Sequence, residues 1–142
     1  SMEFVDLTSA TDPRWSAALP VLAQLRGRIT QEHLMDVFND AEAQRPFFTA
    51  LFDGEDCLAI AGWRIMVNTH LGRVMYVDDL VVDPARRSAG HGALMLEELT
   101  SRARALGARA IDLDSGVQRH RAHKFYLARG FVISSHHFRL EL

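Results

Sequence analysis

Lysine is almost absent from this chain, and so is cysteine. Lys124 is the one lysine, so arginine carries nearly all the positive charge, and coding bias accounts for that more simply than function does. The net charge of -2 leaves no basic excess for binding nucleic acid by bulk electrostatics, and no nucleic-acid partner is expected. Cys57 is alone, cannot close an intrachain disulfide, and fits a reducing compartment. Set in an apolar run, it reads as a small buried hydrophobe rather than a nucleophile. No apolar run approaches the roughly 20 residues of a membrane helix. The N-terminus has neither the basic start nor the apolar stretch of a signal peptide, so a cytoplasmic location without a membrane partner is expected. Ser1 ahead of Met2 reads as a remnant of tag removal.

What is present suits one globular domain spanning residues 3–142. A chain of 142 residues with 48% hydrophobic and 24% charged residues is large enough to bury a proper core. Glu3 to Leu7 reads as a first strand. Asp12 and Pro13 form an N-cap and N1 pair opening a helix that carries Trp15, Leu19, Leu22 and Leu25, with a kink or restart expected at Pro20. A second helix starts at Thr30 and buries Leu34, Val37, Phe38 and Ala41. From Pro46 the period changes to that of strands: Phe47 to Phe52, a turn at Asp53 to Asp56, Cys57 to Val67, a turn at Asn68 to Gly72, then Arg73 to Val82. A helix, a strand at Ala110 to Asp114, a helix at His120 to Arg129 and a final extended piece from Phe131 to Leu142 follow. A meander plus crossover helices predicts an α+β (α/β) fold: a central, mixed, mostly antiparallel sheet flanked by about four helices.

The stretch from Val77 to Gly92 organises the chain. An apolar strand carries Asp78 and Asp79, passes through a Pro-started basic loop, and ends in Gly90 and Gly92 at the head of a helix. The glycines let backbone approach a ligand, and the helix start offers unpaired N–H groups and the positive end of its dipole. Such a site suits a phosphate or pyrophosphate, and the guanidinium forks of Arg86 and Arg87 match phosphate oxygens. The helix is well marked: Gly92, Met95, Leu96, Leu99, Ala103 and Leu106 share one face, Glu98 and Arg102 sit one turn apart, and Gly107 stands at the C-cap. A P-loop is excluded because no Lys then Ser or Thr follows the second glycine. The dinucleotide fingerprint fails too. Asp112 and Asp114 lie at a suitable distance for a ribose-binding acid, but Met95 takes the third glycine's place and the strand-to-glycine turn is too long.

Asp78 and Asp79 sit in a strand whose other side chains are apolar, where an unpaired carboxylate is costly. Successive residues face opposite sides of a sheet unless a bulge intervenes. Either an acid opens onto a cavity or partner, or it pairs with Arg64 or Arg73 on a neighbouring strand.

Two motifs carry a resemblance to a known family. Arg87-x-x-Gly90-x-Gly92, preceded by Val81-Val82-Asp83-Pro84, resembles the acyl-CoA loop of the GNAT superfamily of N-acetyltransferases. Ala122-x-x-Phe125-Tyr126-x-x-x-Gly130-Phe131 resembles that superfamily's late signature. The resemblance implies that the backbone of Arg87, Ser88, Ala89, Gly90, His91, Gly92 and Ala93 holds the pyrophosphate of coenzyme A, and that Leu80, Val81 and Val82 pair with its pantetheine arm. It implies that Tyr126 protonates the departing thiolate. Many members carry Asn where this chain has Arg119, and Arg119 is expected instead to contact a phosphate of coenzyme A. The acidic pair followed by Leu80-Val81-Val82 resembles the strand of the spermidine/spermine acetyltransferases, which implies Asp78 as base and Asp79 as holder of the amine, or the reverse. A carboxylate in apolar surroundings has its proton affinity raised toward the base's task.

The implied activity is transfer of an acetyl group from acetyl-CoA to a primary amine, most simply a small molecule, by direct attack in a ternary complex. The alternatives are acetylation of a protein lysine or N-terminus, and a non-catalytic acyl-CoA-binding module. His120 with His123, and His136 with His137, lack the Cys or carboxylate that would complete a metal set, so no metal is expected. A homodimer through the last strand is compatible with the pattern.

Overall fold

A computed structural model describes residues 1–41, 44, 47–87 and 89–142. The chain divides into two compact units, Ser1–Asp112 and Leu113–Leu142. The sheet has five strands in the order β1 (Met2–Leu7), β2 (Phe47–Asp53), β3 (Asp56–Asn68), β4 (Gly72–Val82) and β5 (Ile111–Leu113). The first four run antiparallel to their neighbours. The lead-in to β5 donates from Arg109 N–H to the Arg73 carbonyl, and its Ala110 carbonyl accepts from Met75 N–H. Those bonds advance in the same direction along both strands, so β5 runs parallel to β4 and the sheet is mixed, as expected.

The turns form where the sequence provides for them. Gly54 supplies a φ of +60° in the β2–β3 hairpin. Asn68 Oδ1 accepts from the N–H groups of His70 and Leu71 at 3.0 and 2.7 Å, closing the β3–β4 turn with a local side-chain bond.

Alternation along β2 sorts the two faces of the sheet. Phe48, Ala50 and Phe52 join Trp15, Ala18, Val21 and Leu22 of α1 (Trp15–Arg26) and Leu34 of α2 (Gln31–Asp40) in one core. Trp15 meets Phe48 edge-on at 5.2 Å. Thr49 points the other way, where its hydroxyl accepts from Trp63 Nε1 and from Arg102 of α3 (His91–Ala105). Met95, Leu96, Leu99 and Ala103 make the buried stripe of α3. Glu98 and Arg102 pair at 2.7 Å as their spacing predicts. Leu106 closes that helix but is exposed, because Gly107 turns the chain with a φ of +78° just beyond it.

Three local expectations need adjustment. Asp12 accepts from Arg14 N–H at 2.9 Å and caps an opening turn, and the α-helix proper begins at Trp15. α1 then runs through Pro20 without a restart, since that ring forfeits one N–H bond while the apolar face stays continuous. Residues 131–142 form no strand: Val132, Ile133, Phe138 and Leu140 are exposed, so the predicted final strand is absent from the sheet. The alternating pattern there reports strand propensity, but a strand needs a partner and none is paired with it among the described residues.

The second unit contains α4 (His120–Ala128), one residue shorter than predicted. No helix of the described residues is long and apolar enough to cross a membrane.

Candidate active site

β4 carries the acids and leads into the glycine loop ahead of α3. Past Val82, Asp83 Oδ1 accepts from Ala85 N–H at 3.1 Å and caps a single 3-10 turn at Pro84–Arg86. Arg86 is committed locally, pairing with Asp56 at 3.2 Å and Asp83 at 3.7 Å, while Arg87 is exposed. Ser88, expected at the phosphate, lies outside the described residues, and Ala89 is exposed. Gly90 then takes a left-handed conformation, φ +81°, as the N-cap of α3. An L side chain there would be strained, so glycine is what lets the loop enter the helix at this angle.

No side chain caps α3. The first intrahelical bond is Leu94 N–H to the Gly90 carbonyl, which leaves the amides of His91, Gly92 and Ala93 without helical partners. Those amides and the positive end of a 15-residue helix suit an anion. The loop residues present fit a pyrophosphate on that ground. Leu80 and Val82, upstream on β4, are half-buried and Val81 is buried.

The two acids depart from simple alternation. Gly62 of β3 pairs with Asp79 and the next residue, Trp63, pairs with Val77, so Asp78 is an extra residue bulged out of β4. Both carboxylates thereby reach cations on the α1 side of the sheet. Arg64 Nη2 donates to Asp78 Oδ1 at 3.1 Å, and its Nε lies 3.1 Å from Oδ2 without being aligned to donate. Arg64 is itself anchored, donating to Gln44 Oε1 at 2.8 Å and lying over the Tyr76 ring at 5.2 Å. Arg26, the last residue of α1, donates from Nε to Asp79 Oδ1 at 2.5 Å and from Nη2 to the Asp78 backbone carbonyl at 2.5 Å.

The acids differ in access: the Asp79 side chain is 12% exposed and that of Asp78 is 35%. Burial raises the Asp78 pKa above the ordinary carboxylate value. The Arg64 charge opposes that shift and the charge of Asp79 adds to it. Gly62 makes room for the arrangement, since a Cβ at that position would run into the Asp79 carboxylate.

Asp78 thus has the arginine partner on the neighbouring strand that the sequence suggested, whereas Arg73 takes no part in the pairs at the acids. Arg26 and Gly62 were not foreseen as site residues. Arg26 lies some 50 residues upstream at a helix end that gives no local signal, while a lone glycine inside an apolar strand was a legible hint of close approach.

Tyr126 and Arg119 lie in the second unit. Tyr126 is buried, with its ring 5.4 Å from the rings of both Phe125 and Phe131. Burial raises its pKa, partly offset by the charge of Arg119, so the phenol keeps its proton at neutral pH. Arg119 is half-buried at the N-cap of α4. His123 Nε2 is taken up by the Gly116 carbonyl at 2.7 Å, and His137 pairs with Asp114 at 2.7 Å. Cys57 is buried, and its thiol is pushed up to about 12 by that burial, which makes it inert as a nucleophile.

The chain is similar to known proteins over nearly its whole length. The acetyltransferase (GNAT) family model matches residues 13–131. The uncharacterised N-acetyltransferase YhdJ of Bacillus subtilis (strain 168) is 31% identical over 127 residues, covering 88% of this chain and 89% of its own. Among solved structures, an acetyltransferase of Trypanosoma brucei matches with a TM-score of 0.78 at 23% identity over the whole of both chains. The glucosamine-6-phosphate N-acetyltransferase of Arabidopsis thaliana matches with a TM-score of 0.77 at 19% identity, covering 99% of this chain and 98% of that one. The aminoglycoside N-acetyltransferase AAC(6′)-Iy in complex with CoA matches with a TM-score of 0.81 at 15% identity, covering 100% and 95%. The fold is therefore shared with these structures, and the chain belongs to the GNAT family of acetyl-CoA-dependent N-acetyltransferases.

Proposed function

We propose that this enzyme acetylates a primary amine of a small molecule by direct attack on the thioester of acetyl-CoA. The observation that carries the reading is the placement of Asp78. A carboxylate of raised proton affinity, one-third exposed, stands on the strand that runs directly into the glycine-capped helix start suited to a pyrophosphate. Two of the structural relatives are named for amine acceptors, an amino sugar phosphate and an aminoglycoside, which supports a small amine as the substrate class.

In this mechanism the loop from Arg87 to Ala93 and the upstream residues Leu80, Val81 and Val82 bind acetyl-CoA, with Arg119 adding a phosphate contact. The acceptor arrives as an ammonium ion. Asp78 removes one proton, directly or through a water, while Asp79, the amine holder that the resemblance implies, is paired with Arg26. The neutral nitrogen attacks the thioester carbonyl, the carbon–sulfur bond breaks, and Tyr126 gives its phenolic proton to the thiolate.

The test begins with the melting temperature in acetyl-CoA, coenzyme A and NAD. A ligand at ~100 times its Kd adds roughly 2.7 kcal/mol, which a domain of this size reports clearly. Stabilisation by both CoA species and not by NAD is expected, followed by thiol release in an amine screen. Indifference to CoA would sink the proposal.

A further inference from the structure

The acid that would hold an amine already holds a cation. Arg26 spans two acceptors of different kinds, the Asp79 carboxylate and the Asp78 carbonyl, in a forked contact at 2.5 Å each. Its own side chain is 48% exposed, while the carboxylate beneath it is 12% exposed. Arg26 therefore forms the outer cover of Asp79. The neighbouring Arg64 is engaged elsewhere, by Asp78, Gln44 and the Tyr76 ring. With Asp78, Asp79, Arg26 and Arg64 counted together the cluster is neutral, and it offers no net attraction to an acceptor carrying several positive charges.

We propose that Arg26 is a specificity-determining residue, a built-in counter-cation on Asp79 that excludes a second ammonium group of the acceptor, so that amines with one cationic centre are preferred over diamines. The inference rests on the amine-acetylation reading and names its substrate class more narrowly. An ammonium is a compact, strongly hydrated point charge and cannot reproduce the planar two-acceptor contact of the guanidinium. Displacing Arg26 exchanges a planar contact made by two nitrogens in fixed geometry for one made from a single nitrogen that must also shed its water. Removing Arg26 instead leaves a largely buried carboxylate without its cation, a situation costly enough that a diamine's free end would fill it. Gly27, at φ +62° directly after Arg26, turns the chain away from the helix and leaves the guanidinium at its end, beside the acids.

The experiment compares kcat/KM for propylamine and propane-1,3-diamine, with acetyl-CoA saturating, in the wild type, Arg26→Lys and Arg26→Ala. The diamine-to-monoamine ratio should rise at least tenfold in Arg26→Ala through a lower KM for the diamine. Arg26→Lys, whose ammonium cannot make the forked contact, should fall between wild type and Arg26→Ala, and Arg26→Ala combined with Asp79→Asn should lose the gain. An unchanged ratio in Arg26→Ala, or a gain that survives Asp79→Asn, overturns the proposal. The parent reading is scored separately, by any thiol release with propylamine. Should neither amine react, the gate is read from binding: the diamine concentration that raises the melting temperature of the CoA complex must fall tenfold in Arg26→Ala, and an unchanged concentration overturns the inference.

Discussion

Replacing Gly62 by alanine tests the local geometry of the acids with a single methyl group. Gly62 lies opposite Asp79 in the β3–β4 ladder, and a Cβ there would collide with the Asp79 carboxylate and come within 2.9 Å of Phe48 Cε1. Phe48 cannot yield easily, because it is 6% exposed and its ring is held 5.2 Å from Trp15 and 5.6 Å from Phe38. Asp79 can yield only by leaving Arg26. Overpacking of this kind costs about 1–3 kcal/mol. Against that cost, alanine's smaller unfolded-state entropy returns about 0.5–1 kcal/mol. A net loss of about 0.5–2 kcal/mol, or roughly 2–7 °C in Tm, is expected in a denaturant or thermal melt. In an Asp79→Ala background the nearest obstacle is gone, so the same substitution should cost at least ~1 kcal/mol less. Equal losses in the two backgrounds, or none in either, would refute this account of why glycine stands there.

The remaining expectations concern the chemistry. Because burial holds the Asp78 pKa above the usual carboxylate value, the acid limb of the kcat/KM profile should lie above 3.8, and Asp78→Asn should abolish that limb along with most activity. The stability sign follows from the same shift: the folded state holds the proton more tightly than the unfolded one, so the Asp78 contribution falls as pH rises from the unfolded to the folded pKa. A pH-stability curve of Asp78→Asn should lack that decline. Tyr126→Phe should lower kcat about 10²-fold while leaving the KM for acetyl-CoA unchanged, as removal of a general acid does. Gly90→Ala, forced to a φ of +81°, should cost about 1 kcal/mol and weaken the CoA-induced thermal shift, while Gly92→Ala should not strain the backbone in this way.

Most of the frame was legible because its signals are local. The strand limits of β2, β3 and β4 follow from period-2 runs and from Gly54 and Asn68, and agree to about one residue. The glycine-capped start of α3 was equally readable, since glycine spacing and the amphipathic stripe of the helix lie in one continuous stretch. The fate of residues 131–142 was not, because pairing depends on a partner strand elsewhere in the chain. The acids fall between these cases. Their conflict with apolar neighbours announced a site and Arg64 was a foreseeable partner. Arg26 was not, because a helix-end arginine looks the same whether it faces water or reaches across to a sheet.

The bulge itself makes the last prediction. Without it, successive residues would send one acid to the α1 face and the other toward α3, where Met95 and Leu99 are fully buried. The extra residue removes that conflict, and its position shows how separable it is from the fold. Trp63 pairs with Val77 and Gly62 with Asp79, so deleting Asp78 would join two segments already in register on the correct faces. The deletion should therefore yield a regular ladder with stability within ~1 kcal/mol of wild type, because the Arg64 left behind is partly solvated and keeps its Gln44 bond. The CoA-induced shift in Tm should survive, since the β3 pairings of Leu80, Val81 and Val82 lie beyond the bulge. Transfer to amines should fall to background. A deletion variant that fails to fold would mean that the bulge holds the sheet together, and one that still acetylates amines would remove Asp78 from the mechanism.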